Sequence, residues 1–325
     1  MAHDLMRGLK DGQPFMLMEQ TPSQQNWQPY NSLKRPGVMR LWSYQSVAHG
    51  ADTIMFFQLR RSIGACEKYH GAVIEHVGHE NTRVFREVAE LGKELQLLGN
   101  KTLDATVDAK VAIVFDWENW WAIEKSSGPT VALNYVDQIH KYYAAFFRRN
   151  IQVDIVSVDT DISKYDIVLA PVLYMVKPGF AAKLEKFVEA GGTFLTTFFS
   201  GIVNESDIVT TGGYPGELRK LLGIWVEEID ALLPEQKNSI VLKKAYGDLQ
   251  GEYGCGMLCD LLHSEGAEVI AEYGDDFYKG VEVTARTKDG QQYLFVMNHN
   301  ATAQSYDLGK AKAHDLLTDR SLSVL

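Results

Sequence analysis

The chain has 325 residues, a length that suggests two or three domains, and its 46% hydrophobic and 23% charged residues are ordinary for a globular protein. It is acidic, with 32 basic residues against 42 acidic ones and a net charge of −10. This balance, with no basic cluster, disfavours a nucleic-acid partner, and no apolar run is long enough to predict a membrane span.

Three cysteines, Cys66, Cys255 and Cys259, are too few for a disulfide framework and predict a reducing, cytoplasmic location. The N-terminal sequence also lacks the hydrophobic region of a signal peptide. Cys255 and Cys259 have the spacing of one half of a zinc site, but no second Cys/His pair completes a tetrad. No glycine-rich dinucleotide motif follows a predicted strand. We therefore expect no metal and no cofactor.

The first predicted domain, residues 1–103, alternates strands with helices. Its strands and helices are predicted, in chain order, over residues 15–18, 39–51, 53–57 and 82–98. Thr82 is the expected N-cap of the last helix, and Gly99-Asn100 is its expected stop. This βαβα order fits two units of a (β/α) barrel, too few strands to close one.

The second predicted domain, residues 104–280, alternates again. Strands are predicted over residues 111–115, 153–156, 167–170 and 193–199, and helices over residues 135–149 and 179–190. This is the pattern of an open, doubly wound parallel sheet. Ser200-Gly201 faintly resembles a nucleophile elbow, but the G-x-S-x-G motif is absent, so a non-catalytic turn is predicted.

The third predicted domain, residues 281–325, is short and antiparallel. Strands are predicted over residues 281–286, 292–298 and 303–308, and Lys288-Asp289-Gly290 is a hairpin signal between the first two.

Glu19 is the first candidate for chemistry. It ends the first predicted strand and precedes an irregular polar loop that contains Trp27. Barrel enzymes place their catalytic groups at such strand ends, and a carboxylate there can act as a nucleophile. A glutamate that caps the next turn is the alternative for Glu19, and a loop-anchoring aromatic is the alternative for Trp27.

Glu67 and His70 form a second candidate group after the strand that ends at Phe57. By spacing alone, a glutamate and a histidine three residues apart would share one helical face. Both side chains can instead supply fixed hydrogen-bond donors and acceptors to a polar ligand. Phe57 is equally compatible with a place in this candidate group and with a position in the core.

The run FMLMEQTPSQQNW, residues 15–27, resembles the nucleophile segment of the β-galactosidases of glycoside hydrolase family 42. The resemblance implies a retaining β-galactosidase with Glu19 as the nucleophile. It also implies four galactose-binding side chains, Trp27, Phe57, Glu67 and His70.

The resemblance extends along nearly the whole chain. It implies the end of a TIM barrel, then a glutamine-amidotransferase-like trimerisation domain, then a small C-terminal β-domain, and so a homotrimer that acts on β-galactosides. Trp117, Trp120 and Trp121 then have two interpretations, a subunit contact or local packing. Typical members carry a further strand and helix before the last domain, which this sequence lacks near Gly280.

The family's acid/base glutamate follows an asparagine at the end of an earlier barrel strand, whereas eighteen residues precede Glu19 here. The one Asn-Glu dipeptide, Asn204-Glu205, is expected in a solvated loop. A galactosidase whose acid/base is missing is therefore the expectation. The alternatives are a non-enzymatic assembly module and one piece of a split galactosidase.

Overall fold

The computed structural model describes residues 1–274, 281–288, 291–298, 303, 313–315 and 320–322. The chain divides into two compact units. The first unit comprises Met1–Ala231 and Leu258–Ala267, and the second comprises Leu232–Met257 and Glu268–Leu325. Within the described residues, every helix is too short or too polar to cross a bilayer.

The first unit begins with a (β/α) part. Its elements are α1 (Ala2–Gly8), β1 (Phe15–Gln20), α2 (Val38–Ala48), β2 (Ala51–Phe56) and α3 (Arg83–Thr102). β1 and β2 pair in parallel, so the predicted βαβα order is confirmed, with α1 as an unpredicted addition.

Helix α3 begins as predicted and ends later. The hydroxyl of Thr82 accepts a hydrogen bond from Phe85 N at 3.2 Å, which confirms the N-cap. The predicted stop at Gly99-Asn100 is wrong, because Leu103 N still bonds to Gly99 O at 2.9 Å and the helix runs to Thr102.

The first unit continues with an open parallel sheet. Its elements are β3 (Val111–Val114), α4 (Trp117–Lys125), α5 (Tyr135–Phe147), β4 (Val153–Val156), β5 (Ile167–Ala170), α6 (Phe180–Glu189), β6 (Thr193–Thr196) and α7 (Arg219–Leu222). The strand order is β4-β3-β5-β6 and all pairs are parallel, which confirms the predicted sheet. β3 and β4 are wholly buried, as expected for strands inside an α/β layer.

Helix α1 fastens the (β/α) part to this sheet. A β-carbon on Gly8 would lie 1.8 Å from the carbonyl oxygen of Ile155 in β4, so only glycine permits this approach. Beside it, Arg7 Nη2 lies 2.7 Å from Asp154 Oδ1, and both side chains are buried. A buried ion pair therefore joins two parts of the first unit that are far apart in sequence.

The rest of the described chain consists of short antiparallel strands. They are β7 (Ile224–Ala231), β8 (Asn238–Leu242), β9 (Glu252–Cys255), β10 (Leu258–Ser264), β11 (Ala271–Tyr273), β12 (Val281–Lys288), β13 (Gln291–Asn298), β14 (Ala313–Asp315) and β15 (Arg320–Leu322). β7 pairs with β10 in the first unit. In the second unit the pairings are β11-β8-β9, β12-β13 and β14-β15.

The predicted hairpin of the third domain is confirmed by the β12–β13 pair, whose register places Lys288 opposite Gln291. Its turn residues 289–290, the predicted strand over residues 303–308 apart from Ala303, and the shortened junction near Gly280 lie outside the described residues. The domain boundaries at 103 and 280 stay predictions.

Candidate active site

Glu19 is the penultimate residue of β1, and its side chain is exposed. The strand is longer than predicted, because its end stays hydrogen-bonded to the residue that follows β2: Phe57 N donates to Gln20 O at 3.2 Å. Glu19 therefore lies at the carboxyl end of two parallel strands, in the short stretch between Leu17 and Gln20 where their register is irregular. This is the end at which barrel enzymes hold their reacting groups.

Two loops leave these strand ends and interlock. The first loop, residues 21–37, follows β1, and the second loop, residues 57–82, follows β2. Gly71 N donates to Gln24 O at 2.8 Å. A β-carbon on Gly71 would lie 2.8 Å from the β-carbon of Ser23, so the contact requires glycine.

Glu67 is anchored by the first loop. It lies in a single 3₁₀ turn, Cys66–Tyr69. Asn26 Nδ2 donates to Glu67 Oε2 at 3.0 Å and to Cys66 O at 2.7 Å. Arg61 holds the far side of the turn by donating from Nη2 to Tyr69 O at 2.8 Å. The Glu67 carboxylate is thus fixed from the loop that carries Trp27.

His70 belongs to the second loop but is buried, with only 2% of it exposed. Its Nδ1 is 3.1 Å from Gly71 O, and a carbonyl only accepts, so Nδ1 carries the proton. In the neutral ring Nε2 is then an acceptor, which faces the Thr21 hydroxyl at 3.4 Å. The Phe57 ring meets the imidazole edge-on at a centroid distance of 5.0 Å.

Trp27 and Lys34 complete the first loop. Trp27 is 65% exposed, so its ring is open to a partner. Lys34 Nζ donates to Thr21 O and lies 5.2 Å from the centre of the Trp42 ring. Burial lowers the pKa of Lys34 to about 8.

The structure therefore joins three of the predicted residues, Phe57, Glu67 and His70, to the loop that follows Glu19 and contains Trp27. The direct galactose contact assigned to His70 stays a prediction, because both of its ring nitrogens already face protein atoms. Sequence reasoning missed Asn26 and Arg61. Their polarity was visible, but their partners were not.

Asn204-Glu205 lies elsewhere, in the turn expected for it. The Asn204 side-chain oxygen accepts from Ser206 N at 3.0 Å and from Ile208 N at 3.1 Å. Glu205 is exposed. This geometry is that of an Asx turn, which explains the dipeptide without an acid/base role.

The turn at Ser200-Gly201 has no free nucleophile. Ser200 is buried, and its Oγ donates to Thr197 O at 2.8 Å and accepts from Leu173 N at 3.0 Å. The predicted strand over residues 193–199 is shorter in the structure, because β6 ends at Thr196 and Phe199 has a φ of 56°, which lies outside the strand region. The hydroxyl therefore holds the backbone of the turn.

The tryptophans after β3 show local packing. Trp117 and Trp120 meet the Phe115 ring at centroid distances of 5.0 and 5.9 Å. Trp117 and Trp121 remain 41% and 53% exposed. The packing interpretation is confirmed for the inner rings, and the subunit-contact interpretation stays a prediction.

A cavity of about 230 Å³ opens away from these loops, beside Asp4, Arg7, His49 and Phe147. Its charged groups are already paired, since Arg7 Nη1 and His49 Nδ1 both lie within 3 Å of Asp4 Oδ1, at 2.9 and 2.6 Å. Among the described residues, no group of three His, Cys, Asp or Glu side chains could hold a metal ion.

Comparison with known proteins identifies the family. The β-galactosidase family model matches residues 1–98, and the β-galactosidase trimerisation domain model matches residues 109–313, more than half of the chain. The chain belongs to the β-galactosidases of glycoside hydrolase family 42.

Individual β-galactosidases are also similar to this chain. BgaA of Planococcus sp. (strain 'SOS Orange') is 61% identical over 99% of this chain, and Pbg of Clostridium perfringens is 45% identical over 99%. The crystal structure of the β-galactosidase from Bacillus circulans sp. alkalophilus, 60% identical, superposes with a TM-score of 0.83 over 99% of this chain and 55% of its own. The chain spans about half the length of these family 42 relatives: 55% of BgaA and 47% of Pbg.

Proposed function

We propose that this family 42 chain supplies the nucleophile and part of the galactose site of a retaining β-galactosidase. One observation carries the proposal: the loops that follow β1 and β2 interlock beside the strand end that bears Glu19. Trp27 offers an open aromatic face for the apolar side of a pyranose, and Glu67 offers a fixed acceptor for hydroxyls. Phe57 and His70 form the floor beneath them.

In this proposal the ionised Glu19 carboxylate attacks the anomeric carbon of a terminal β-galactoside. The bond to the leaving oxygen breaks as an acid protonates that oxygen, and a galactosyl ester of Glu19 forms. Water, deprotonated by the same acid/base group, then attacks the anomeric carbon and releases galactose with retained configuration. Two displacements at one carbon require two carboxyl groups about 5–5.5 Å apart.

In the family, the acid/base glutamate follows an asparagine at a barrel strand end. This chain offers no counterpart to that pattern, because its one Asn-Glu dipeptide, Asn204-Glu205, belongs to an exposed turn. General acid/base catalysis contributes about 10²–10⁴-fold to rate. We therefore propose that the chain alone binds galactose but turns over chromogenic β-galactosides negligibly.

Galactose binding tests the proposal. Two-dimensional NMR with added galactose should shift resonances of the two loops, and glucose, the epimer at C4, should bind at least several-fold more weakly. Trp27→Ala should weaken galactose binding about tenfold, the loss expected for one aromatic contact surface of this kind. The matched control is Trp121→Ala, which removes another exposed tryptophan, 53% exposed against 65% for Trp27, and should leave galactose binding unchanged. Equal effects of the two variants, or no response to galactose, would contradict the proposed site.

A second candidate function, homotrimeric assembly, is favoured by the match of residues 109–313 to the trimerisation domain model. The glutamine-amidotransferase-like character of the parallel sheet belongs to this proposal. The strand order β4-β3-β5-β6 supports it, because the order reverses between β3 and β5 as in doubly wound sheets.

We also propose a reducing, cytoplasmic setting for the site. Cys66 is an exposed free thiol in the same turn as Glu67. Exposed thiols persist where glutathione and thioredoxin keep them reduced.

A further inference from the structure

We propose that Asn26 is a positioning residue that orients Glu67 for one hydroxyl of the bound sugar; this inference rests on the proposed galactose site. Asn26 precedes Trp27 in the first loop, and Glu67 lies in the second. The Asn26–Glu67 contact therefore links the two loops of the proposed site.

The geometry assigns every hydrogen of the Asn26 amide group. A primary amide has two N–H donors. Nδ2 uses one toward Cys66 O at 2.7 Å and the other toward Glu67 Oε2 at 3.0 Å. The backbone contact fixes the amide plane, and the fixed plane then directs the second hydrogen at the carboxylate.

The same contact leaves one carboxylate oxygen for a ligand. Among the described residues, Glu67 Oε1 has no hydrogen-bond donor, whereas Oε2 is occupied. A sugar hydroxyl can therefore donate to Oε1. Because the rotamer of Glu67 is set before the sugar arrives, less side-chain entropy is lost on binding. A fixed acceptor also discriminates between hydroxyl epimers better than a mobile one does.

Asn26 could instead act only as a staple between the loops. Gln24 provides the comparison, because it belongs to the same loop and its Nε2 donates to Tyr69 O at 3.2 Å in the same turn. No hydrogen bond joins the Gln24 and Glu67 side chains among the described residues. A pure staple predicts that the loss of either amide has the same consequence.

The test is a thermodynamic cycle on the full chain. Galactose dissociation constants are measured by NMR for wild type, Asn26→Ala, Glu67→Gln and the double variant, with Gln24→Ala alone and in the Glu67→Gln background as the control. We expect Asn26→Ala to weaken binding about five- to tenfold, which is less than the loss of a direct hydrogen bond to a charged group would cost, because Asn26 acts on the sugar only through Glu67. In the Glu67→Gln background the same change should matter less than about twofold, because the interaction has already been weakened.

A readout without ligand checks the contact itself. The side-chain amide resonances of Asn26 should move in Glu67→Gln, and those of Gln24 should stay in place. Asn26→Asp, which keeps the size but replaces the donor by an acceptor, should weaken galactose binding at least as much as Asn26→Ala.

Different outcomes contradict the positioning role of Asn26 and the proposed galactose site. A wild-type chain that does not bind galactose contradicts the proposed function. A chain that binds galactose, but in which Asn26→Ala equals Gln24→Ala or is equally costly with and without the Glu67 carboxylate, contradicts the positioning role alone.

Discussion

At the scale of single residues, Arg7 joins segments of the first unit that lie far apart in sequence. It is 2% exposed, and its five N–H groups bond to Asp154 Oδ1 twice, to Asp4 Oδ1, and to the carbonyls of His49 and Val153. Burial disfavours an ionised Asp4, but hydrogen bonds from His49 and Tyr143 and the charge of Arg7 outweigh it and hold the Asp4 pKa below its usual range.

Removing Arg7 would take away the buried cation that contacts both the Asp4 and the Asp154 carboxylates. Arg7→Ala should lower the free energy of unfolding by about 3–5 kcal/mol, measured by urea titration. Arg40→Ala is the control, because Arg40 forms an exposed ion pair with Glu94 and its loss should change stability little. Similar curves for the two variants would show that the buried pair does not join the parts of the first unit.

Asp260 is expected to make the stability of the folded protein depend on pH. It is buried, its Oδ2 accepts from Phe199 N at 3.1 Å, and its Oδ1 has no partner among the described residues. Burial raises the pKa of Asp260 to about 6. A raised acid pKa favours the protonated folded form, so its contribution to stability is fully present below about pH 4 and is lost as pH rises through 6.

Asp260→Asn should therefore be more stable than wild type at pH 8, by about 2–3 kcal/mol, and should lack the decline between pH 4 and 6. Asn can keep the bond from Phe199 N through its side-chain oxygen. Asp230→Asn, on the strand paired with Asp260's strand, is the control and should keep the wild-type decline. Unfolding curves at several pH values decide, and an unchanged slope in Asp260→Asn would refute the assignment.

The residues that sequence could and could not predict differ in how far their partners lie along the chain. Glu19 and Trp27 could be singled out from sequence because one continuous run carries both, and their roles stay predictions. Asn26 was not, because its partner Glu67 lies 41 positions away, and Arg7 was not, because Asp154 lies 147 positions away. A polar side chain shows its chemistry in the sequence, but only the fold supplies its partner.

At the scale of elements, alanine substitution of two helical glycines is expected to change stability in opposite directions. Gly8 in α1 faces the Ile155 carbonyl so closely that a methyl group cannot fit, whereas Gly92 in α3 has nothing within 4 Å of the added β-carbon. Gly8→Ala should separate α1 from β4 and cost about 1–3 kcal/mol, as overpacking does. Gly92→Ala should stabilise by about 0.5–1 kcal/mol through helix propensity.

Thermal unfolding of the two glycine variants measures both effects. If Gly8→Ala proved as stable as Gly92→Ala, α1 would not be packed against the sheet.

The elements that sequence predicted are those with a clear period or a buried apolar run, such as α3 and β3. α1 was missed because a seven-residue helix shows little periodicity, and its place is set by Arg7 and Gly8. β7 was missed because its burial pattern does not alternate, and its partner β10 follows only after β8 and β9. Such strands are defined by pairing more than by their own residues.

At the scale of the whole molecule, assembly is the open prediction. The trimerisation domain model covers residues 109–313, so we expect light scattering at micromolar concentration to give the mass of three chains. A monomer mass that holds up to the highest soluble concentration would contradict assembly. If a trimer forms, Trp121→Glu locates the contact, since a charge at this exposed ring should dissociate a trimer that uses it.

Covalent labelling tests most directly whether Glu19 is the nucleophile. A 2-deoxy-2-fluoro-β-galactosyl fluoride needs no acid to expel its leaving group, and the ester that it forms with a nucleophilic carboxylate hydrolyses slowly. The assay therefore reports the nucleophile even where the acid/base is missing. Glu19→Gln is the control, because it keeps the shape of the side chain and removes its charge.

Mass spectrometry after labelling should find one fluorogalactosyl group per chain, on the peptide that contains Glu19. The group should be absent from Glu19→Gln and reduced when galactose competes. A label on another carboxylate, or a label that persists in Glu19→Gln, would contradict the account.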